Sequence, residues 1–454
     1  MDTRLIVQKE IALINRMLQA HGIQARTKPK LVMVVKSSFI AYGLQVAHGQ
    51  TARQIDAIGR ELSNELTRQR VRLLPGYRGR AVVRLRDYPL AIEVPHPAPV
   101  ALSWQAATLR AGPHVALIGR SYDYSGAHSE WLDLDRHYHT LVAAMSGGGK
   151  STLMKMGLLT LALNTSPADL RVALIDLKND DLTPFRALPH VMNYAGDIEA
   201  AAAAIAQTHA VKTERIETQA KPFRLLLVID ELAELSQAKD ALRQLGSILS
   251  TGRSLGINVW AGTQYPTAST IGSVVNASFT TRIVGMVDGM QAAATATKRA
   301  GSGAHLLQTP GDFLRVDGVE LRRMKGYDIG DDDTVKLIDR IRQIWLKKLK
   351  GKETNYEVAT SPAIASYEAD TAAATRVENG VGGVASYDSQ FPIRAGRALT
   401  ATEAQAVRRM AEAGEFDYRD GLSLNRAMQT VYGSRSPERA EWIRQALEFI
   451  EIGA

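Results

Sequence analysis

Residues 139–156 read HTLVAAMSGGGKSTLMKM: a short apolar strand, a turn crowded with glycine, and a helix that opens on Lys-Ser-Thr. Few folds accommodate that order. Successive backbone N–H groups of such a turn converge on an anion, and the helix behind it adds the positive end of its dipole, so the stretch predicts a phosphate-binding P-loop. Ser146, Gly147, Gly148 and Gly149 would form the cradle, with Lys150 reaching the terminal phosphates, the Ser151 hydroxyl holding Mg2+ and Thr152 completing the ATP contacts. Ala144 stands where the G-x-x-x-x-G-K-[ST] pattern has glycine. Its methyl adds little bulk, although it narrows the backbone angles open to the turn. The alternative is an ordinary flexible loop with a surface lysine. The order strand, loop, helix argues against it.

A second site lies about 80 residues on. Residues 225–232, LLLVIDEL, are an apolar strand ending in two acids. Asp230 would stand beside the P-loop and hold Mg2+ through water, as in a Walker B element. Glu231, one residue further, is placed to polarise a water for attack on the γ-phosphate, which favours hydrolysis over transfer to an organic acceptor. The strand at 257–262 leads into Thr263-Gln264, and a polar side chain there can contact the γ-phosphate and report its loss. Arg253 and Arg282 flank this strand; each is read either as an arginine acting on a neighbouring subunit's nucleotide or as a structural salt bridge.

Around these motifs, strands at 115–119, 130–134, 139–144, 170–177, 224–230, 257–262 and 282–287 alternate with helices at 150–163, 197–210 and 237–251. That alternation predicts an α/β fold with a mostly parallel, doubly wound sheet over residues 99–350. Residues 1–98 read as a small α+β domain, with amphipathic helices at 5–20 and 52–69 and strands at 30–36, 39–46, 82–85 and 90–94. A Pro-rich connector at 95–99 joins the two. Residues 351–396 lack any sustained period and predict a linker, and 397–454 predict three short helices, either a helix-turn-helix or winged-helix module or a docking bundle.

The net charge of +8 is unevenly placed, since residues 1–140 hold 19 Lys or Arg against 11 Asp or Glu and so carry all of it. Such a bias suits a polyanionic partner, nucleic acid before membrane headgroups, although solubility alone explains it too. Arg68, Arg70, Arg72, Arg78, Arg80, Arg84 and Arg86 fall mostly at even spacing, and those within one strand would share a face, either solvated or in contact with phosphate. The chain has no cysteine, hence no disulfide and no thiolate metal site, which fits a reducing, cytoplasmic setting. Its start mixes charges among apolar residues and is neither a signal peptide nor a membrane span.

GGGKS at 147–151, IDLK at 175–178, LPHV at 188–191, LLLVIDELAEL at 225–235, GRSLGINVWAGTQYP at 252–266, TTRIVG at 280–285 and GDFL at 311–314 follow one another much as in the FtsK/SpoIIIE DNA translocases of the HerA-FtsK superfamily. The resemblance spans residues 10–345, including VRLLPGYRGRAVVRL and IEVPHP, which look like the ring-forming domain ahead of the motor in that family. It implies a RecA-like core, a homohexameric ring threading double-stranded DNA, and ATP bound between subunits. Lys150 and Ser151 would bind ATP and Mg2+, Asp230 and Glu231 serve as Walker B and catalytic acid, Gln264 as sensor, and Arg282 or Arg253 as the arginine acting in trans. Asp288-Gly289-Met290-Gln291 replaces the family's usual Ser-Arg pair after the TRI strand, and no membrane-anchoring region precedes the motor. A sequence-tolerant DNA motor, for instance of a phage or mobile element, is therefore expected. A HerA-like end-processing or conjugative coupling ATPase, and a DNA-binding scaffold with structural ATP, are the alternatives.

Overall fold

The computed structural model describes residues 3–86, 90–104, 109, 111–123, 125–264 and 273–350. The linker and C-terminal helices expected at 351–454 lie outside these. All of the described residues belong to one compact unit.

In the first part of the chain, α1 (Thr3–Ala20) is followed by short strands β1 (Ala25–Arg26), β2 (Val32–Val34), β3 (Phe39–Gly43) and β4 (Gln45–Val46). Then come α2 (Ala52–Ala57), α3 (Gly59–Leu73), β5 (Arg84–Arg86) and β6 (Ala91–Pro95). β2, β3, β6 and β5 form an antiparallel sheet in that order, and β1 pairs with β4. β3 is buried along its whole length because both its faces are covered. Ile40 and Tyr42 meet Ile14, Leu18, Leu62 and Leu66 of the helices, while Phe39 and Ala41 pack in a second cluster with Tyr122. The period-2 alternation of a strand thus serves two cores.

The helix expected at 52–69 is two helices, broken at Ile58 and continuing to Leu73, so Arg70 and Arg72 are helical and share no strand face with Arg84. A capping box between Thr51 and Gln54 starts the first. Arg70 is fully buried, its Nε donating to Glu10 Oε1 at 2.6 Å and its Nη1 to the Pro95 carbonyl at 2.6 Å. Arg84 is likewise buried against Glu93 at 2.9 Å. These two arginines hold the domain together and are not available to phosphate. Arg68, Arg72, Arg78 and Arg80 are exposed.

The rest of the chain builds one ten-stranded sheet from β7 (Val115–Asp123), β8 (Gly126–Asp133), β9 (His139–Ala143), β10 (Leu170–Ile175), β11 (Val191–Ala195), β12 (Arg224–Ile229), β13 (Ile257–Thr263), β14 (Thr281–Val284), β15 (Asp312–Asp317) and β16 (Glu320–Gly326). Across the sheet the order is β11-β10-β12-β13-β9-β14-β15-β16-β7-β8. Pairing is parallel from β11 to β14 and antiparallel from β14 to β8. The parallel half is apolar because helices cover both faces. α4 (Lys150–Asn164) lies on one with the helix Asp331–Lys350, and α5 (Ile198–Thr218) and α6 (Lys239–Thr251) lie on the other. On β9 the division is residue by residue: Val142 faces α4 and Leu141 faces α6. α4 is apolar nearly all round, since it also meets β7 and the helix Asp331–Lys350, where Trp345 donates its indole N–H to the Ala162 carbonyl at 2.7 Å. Each of its buried Leu and Met side chains contributes about 1.5–3 kcal/mol.

Candidate nucleotide-binding site

β9 stops at Ala143 between its two parallel neighbours, and the chain stays clamped for two more residues. Ala144 N–H donates to the Thr263 carbonyl at 3.2 Å and Met145 N–H to the Met286 carbonyl at 2.8 Å. The turn then needs left-handed backbone at Gly147 (φ 74°) and Gly149 (φ 94°), where a side chain would be strained. Ala144 is not among the positive-φ residues, so its methyl costs the turn nothing in backbone angle. Gly148 is required for a different reason: a Cβ there would lie 2.9 Å from both the Ala144 Cβ and the Met145 carbonyl oxygen. Gly149 faces Gly311, whose N–H donates to the Gly148 carbonyl at 2.9 Å, so residues 309–311 sit on the loop as a roof.

Lys150 and Ser151 open α4. The Lys150 ammonium is buried and donates to Asp230 Oδ1 at 2.7 Å and to the Asp230 carbonyl at 2.6 Å. Parallel pairing of β12, β13 and β9 brings the ends of these strands to one sheet edge, which is why residues 80 apart in sequence meet. Asp176, at the end of β10 beside β12, is fully buried, and burial together with Asp230 raises its pKa. Its Oδ2 accepts from the Leu182 N–H at 3.1 Å and the Asp180 N–H at 3.2 Å, which orders the loop carrying Lys178 and Asp181. Burial pushes the Asp181 carboxyl up, but hydrogen bonds from Lys155 and Ser151 prevail and hold it below its ordinary value.

Glu231 is 3% exposed. Its Oε1 accepts from the Gln264 N–H at 3.1 Å, while Oε2 is buried without a hydrogen-bond partner. Burial raises its pKa against the opposing charge of Lys150. Hydrogen bonds from the Gln264 N–H and the Thr263 side chain also oppose that rise.

A cleft of about 560 Å³ gathers Ser146, Gly147, Gly149, Lys150, Ser151, Thr152, Asp230 and Gln264. Glu231 stands directly behind it, linked through Gln264. Sequence reasoning had not placed Asp181, Lys325 or residues 99–102 on the cleft wall, and it took Lys178 only as part of IDLK. Mg2+ is usually held by one or two carboxylates together with substrate phosphates. The Ser151 hydroxyl and Asp230, both on the wall beside Lys150, supply that donor set, so the residues present fit the ion.

Two arginines stand elsewhere. Arg282, on β14, is 2% exposed; its Nη1 donates to the Ala296 carbonyl at 3.0 Å, and its Nη2 to the Asn276 carbonyl and, at 2.7 Å, to Asn276 Oδ1. Burial pulls its pKa down to about 10. This guanidinium ties the ends of two helices to the sheet. Arg253 is exposed, with its guanidinium 4.5 Å from the centre of the Tyr138 ring, and lines no part of its own chain's cleft.

The FtsK/SpoIIIE family profile matches residues 106–215, which contain the P-loop and α4. Over those residues the chain is similar to the FtsK/SpoIIIE family. DNA translocase FtsK of Chlamydia trachomatis is 23% identical over 378 residues, covering 73% of this chain and 45% of that protein. DNA translocase SftA of Bacillus subtilis is 26% identical over 238 residues, covering 46% and 25%. The chain thus spans less than half the length of these curated relatives. Among solved structures, the pCW3 conjugation coupling protein TcpA in a monomer form with ATPγS superposes with a TM-score of 0.50 at 16% identity, covering 74% of this chain and 99% of that one. That likeness shows a shared α/β P-loop fold. Among the described residues no helix is long and apolar enough to cross a membrane.

Proposed function

We propose that this chain is an ATP-hydrolysing motor that moves double-stranded DNA without reading its sequence. The observation that carries the reading is Glu231: a buried carboxylate with one oxygen unpartnered, set one residue beyond the Asp230 that holds the P-loop lysine. A scaffold that binds ATP as a structural ligand has no use for a proton-seeking carboxylate there. Asp230 neutralises Lys150; an ATP phosphate would compete for that ammonium and leave Asp230 to help hold Mg2+. When bound, Mg2+ supplies charge neutralisation at the phosphates. Glu231 takes the proton of the attacking water, and the Gln264 backbone N–H fixes the orientation of its carboxylate.

Double-stranded DNA as the substrate rests on the translocase relatives and on the positive charge of residues 1–140, of which Arg68, Arg72, Arg78 and Arg80 are exposed. Grip through phosphates gives affinity that falls steeply with salt and tolerates any sequence. The working form is a homohexamer with ATP between subunits, and Arg253, exposed and outside its own cleft, is the arginine that suits a neighbour's nucleotide. A phage or mobile element is the setting we favour. A conjugative coupling role uses the same engine and differs in cargo; displacement of a roadblock from blunt linear duplex by the chain alone favours the motor. The direct test is ATP turnover with and without linear duplex. Absence of stimulation, together with unchanged turnover in Glu231→Ala, sinks the motor reading.

A further inference from the structure

Under the roof of the cleft lies a set of buried ion pairs that joins the small sheet to the large one. Glu93 on β6 meets Arg84 at 2.9 Å, Arg323 at 2.8 Å and Arg86 at 3.9 Å, and Arg323 also meets Asp312 at 2.6 Å. Lys325 stands 3.5 Å from Asp312. Four cations therefore share two carboxylates, and those carboxylates are fully or almost fully buried. Arg323 is committed further, with its guanidinium 4.1 Å from the Phe39 ring centre, and Ser38 donates to Asp312 at 2.8 Å. Arg86 is partly exposed, so Arg84, Arg323 and Lys325 are the buried cations and the cluster holds one more of them than it has buried carboxylates, an unfavourable excess of one sign.

Lys325 is the member that reaches the cleft. It is the penultimate residue of β16 and lines the cleft with Gly149, Gly311 and Gly326. Its ammonium donates to the Pro310 carbonyl at 2.6 Å, and an ammonium has three donors. Burial lowers its pKa, with Asp312 opposing. Sheet order places it three strands from β9 on one side, whereas Asp230 follows β12, two strands away on the other. A Cβ built on Gly311 would lie 3.6 Å from the Lys325 Nζ, and one on Gly149 would lie 3.0 Å from Gly311, so the ammonium is close to the phosphate cradle. The other carboxylate near it, Asp328, is exposed at the rim.

We propose that Lys325 is a second cationic contact for the phosphates of the bound nucleotide, approaching them from the side of the P-loop away from Asp230. The inference rests on the nucleotide reading of the cleft. A phosphate there supplies the missing anion, and because Lys325, Asp312, Arg323 and Glu93 form one chain of pairs, nucleotide charge is compensated in common with the small sheet. A merely structural lysine would be needed for the fold whether or not nucleotide is present. A surplus cation would not.

The test is the affinity of the full chain for fluorescent ADP, with melting of the nucleotide-free protein as the parallel readout. Lys325→Gln keeps a donor for the Pro310 carbonyl and removes the charge. It is expected to weaken ADP binding about tenfold or more, as loss of a charge-assisted hydrogen bond does, without lowering the melting temperature of the free protein. Lys325→Arg should retain most of the affinity. Native affinity in Lys325→Gln overturns the proposal, as does destabilisation of the free protein at unchanged affinity. Lys150→Ala separates the two readings: if the native chain binds no ADP, or Lys150→Ala binds as well as native, the nucleotide site itself is wrong and Lys325 falls with it.

Discussion

Arg282 offers the sharpest contrast between sequence motif and structural position. Its strand and spacing suit an arginine that reaches a neighbour's nucleotide, yet its guanidinium is buried and donates to two backbone carbonyls and one side-chain oxygen. Arg282→Met would leave the Ala296 and Asn276 carbonyls buried without that donor, at about 1–3 kcal/mol each. Removing a guanidinium whose pKa burial depresses to about 10 returns part of that loss. The expected net destabilisation is about 2–4 kcal/mol. For a unit of roughly 350 residues the unfolding entropy is about 0.7 kcal/mol/K, so the melting temperature should fall by about 3–6 °C. Scanning calorimetry measures this, paired with ATP turnover per folded molecule at a temperature where both proteins are native. A variant that melts like the native protein but has lost turnover would refute the argument from burial and return Arg282 to the nucleotide.

Other perturbations follow from the same geometry. Burial raises the Glu231 pKa, so the ionised form is disfavoured in the fold and stability from this group is present at low pH and lost as pH rises through its folded value. Glu231→Gln should therefore melt higher than native at pH 8 and like native at acid pH; a gain at acid pH contradicts the assignment. Gly149→Ala should abolish nucleotide binding, because φ is 94° and Gly311 is 3.0 Å from the added carbon, whereas Ala144→Gly should leave affinity within about threefold and cost up to about 1 kcal/mol in stability. Equal effects of the two in a binding titration would undo the account of the loop. Glu10→Gln should destabilise by about 3–5 kcal/mol, since it strands the buried Arg70, and chemical denaturation reads this directly.

The parallel half of the large sheet was legible because β9, β10, β12 and β13 are continuous apolar runs, the pattern that strands covered on both faces require. The P-loop and Asp230-Glu231 were legible for the same reason, since each ends such a run. The hairpin β15–β16 was not, beyond the GDFL fragment. In the fold its Arg315, Arg322 and Arg323 meet Glu130 and Glu93 from distant elements, while Arg323 and Lys325 also meet Asp312 within the hairpin. The even spacing of the N-terminal arginines misled in the opposite direction, because α3 extends to Leu73 and two of the arginines are consumed by buried carboxylates. Buried ion pairs depend on long-range partners, which local periodicity does not contain.

The central claim is that Glu231 turns ATP binding into DNA movement. The most direct measurement is displacement of a triplex-forming strand from blunt linear duplex by the full chain, with ATP consumption followed in the same reaction. The account predicts displacement by the native protein with duplex-stimulated hydrolysis, and neither in Glu231→Gln, although that variant still binds nucleotide. Displacement by Glu231→Gln at the native rate would contradict it, as would a native chain that consumes ATP at the same rate with and without duplex and leaves the triplex in place.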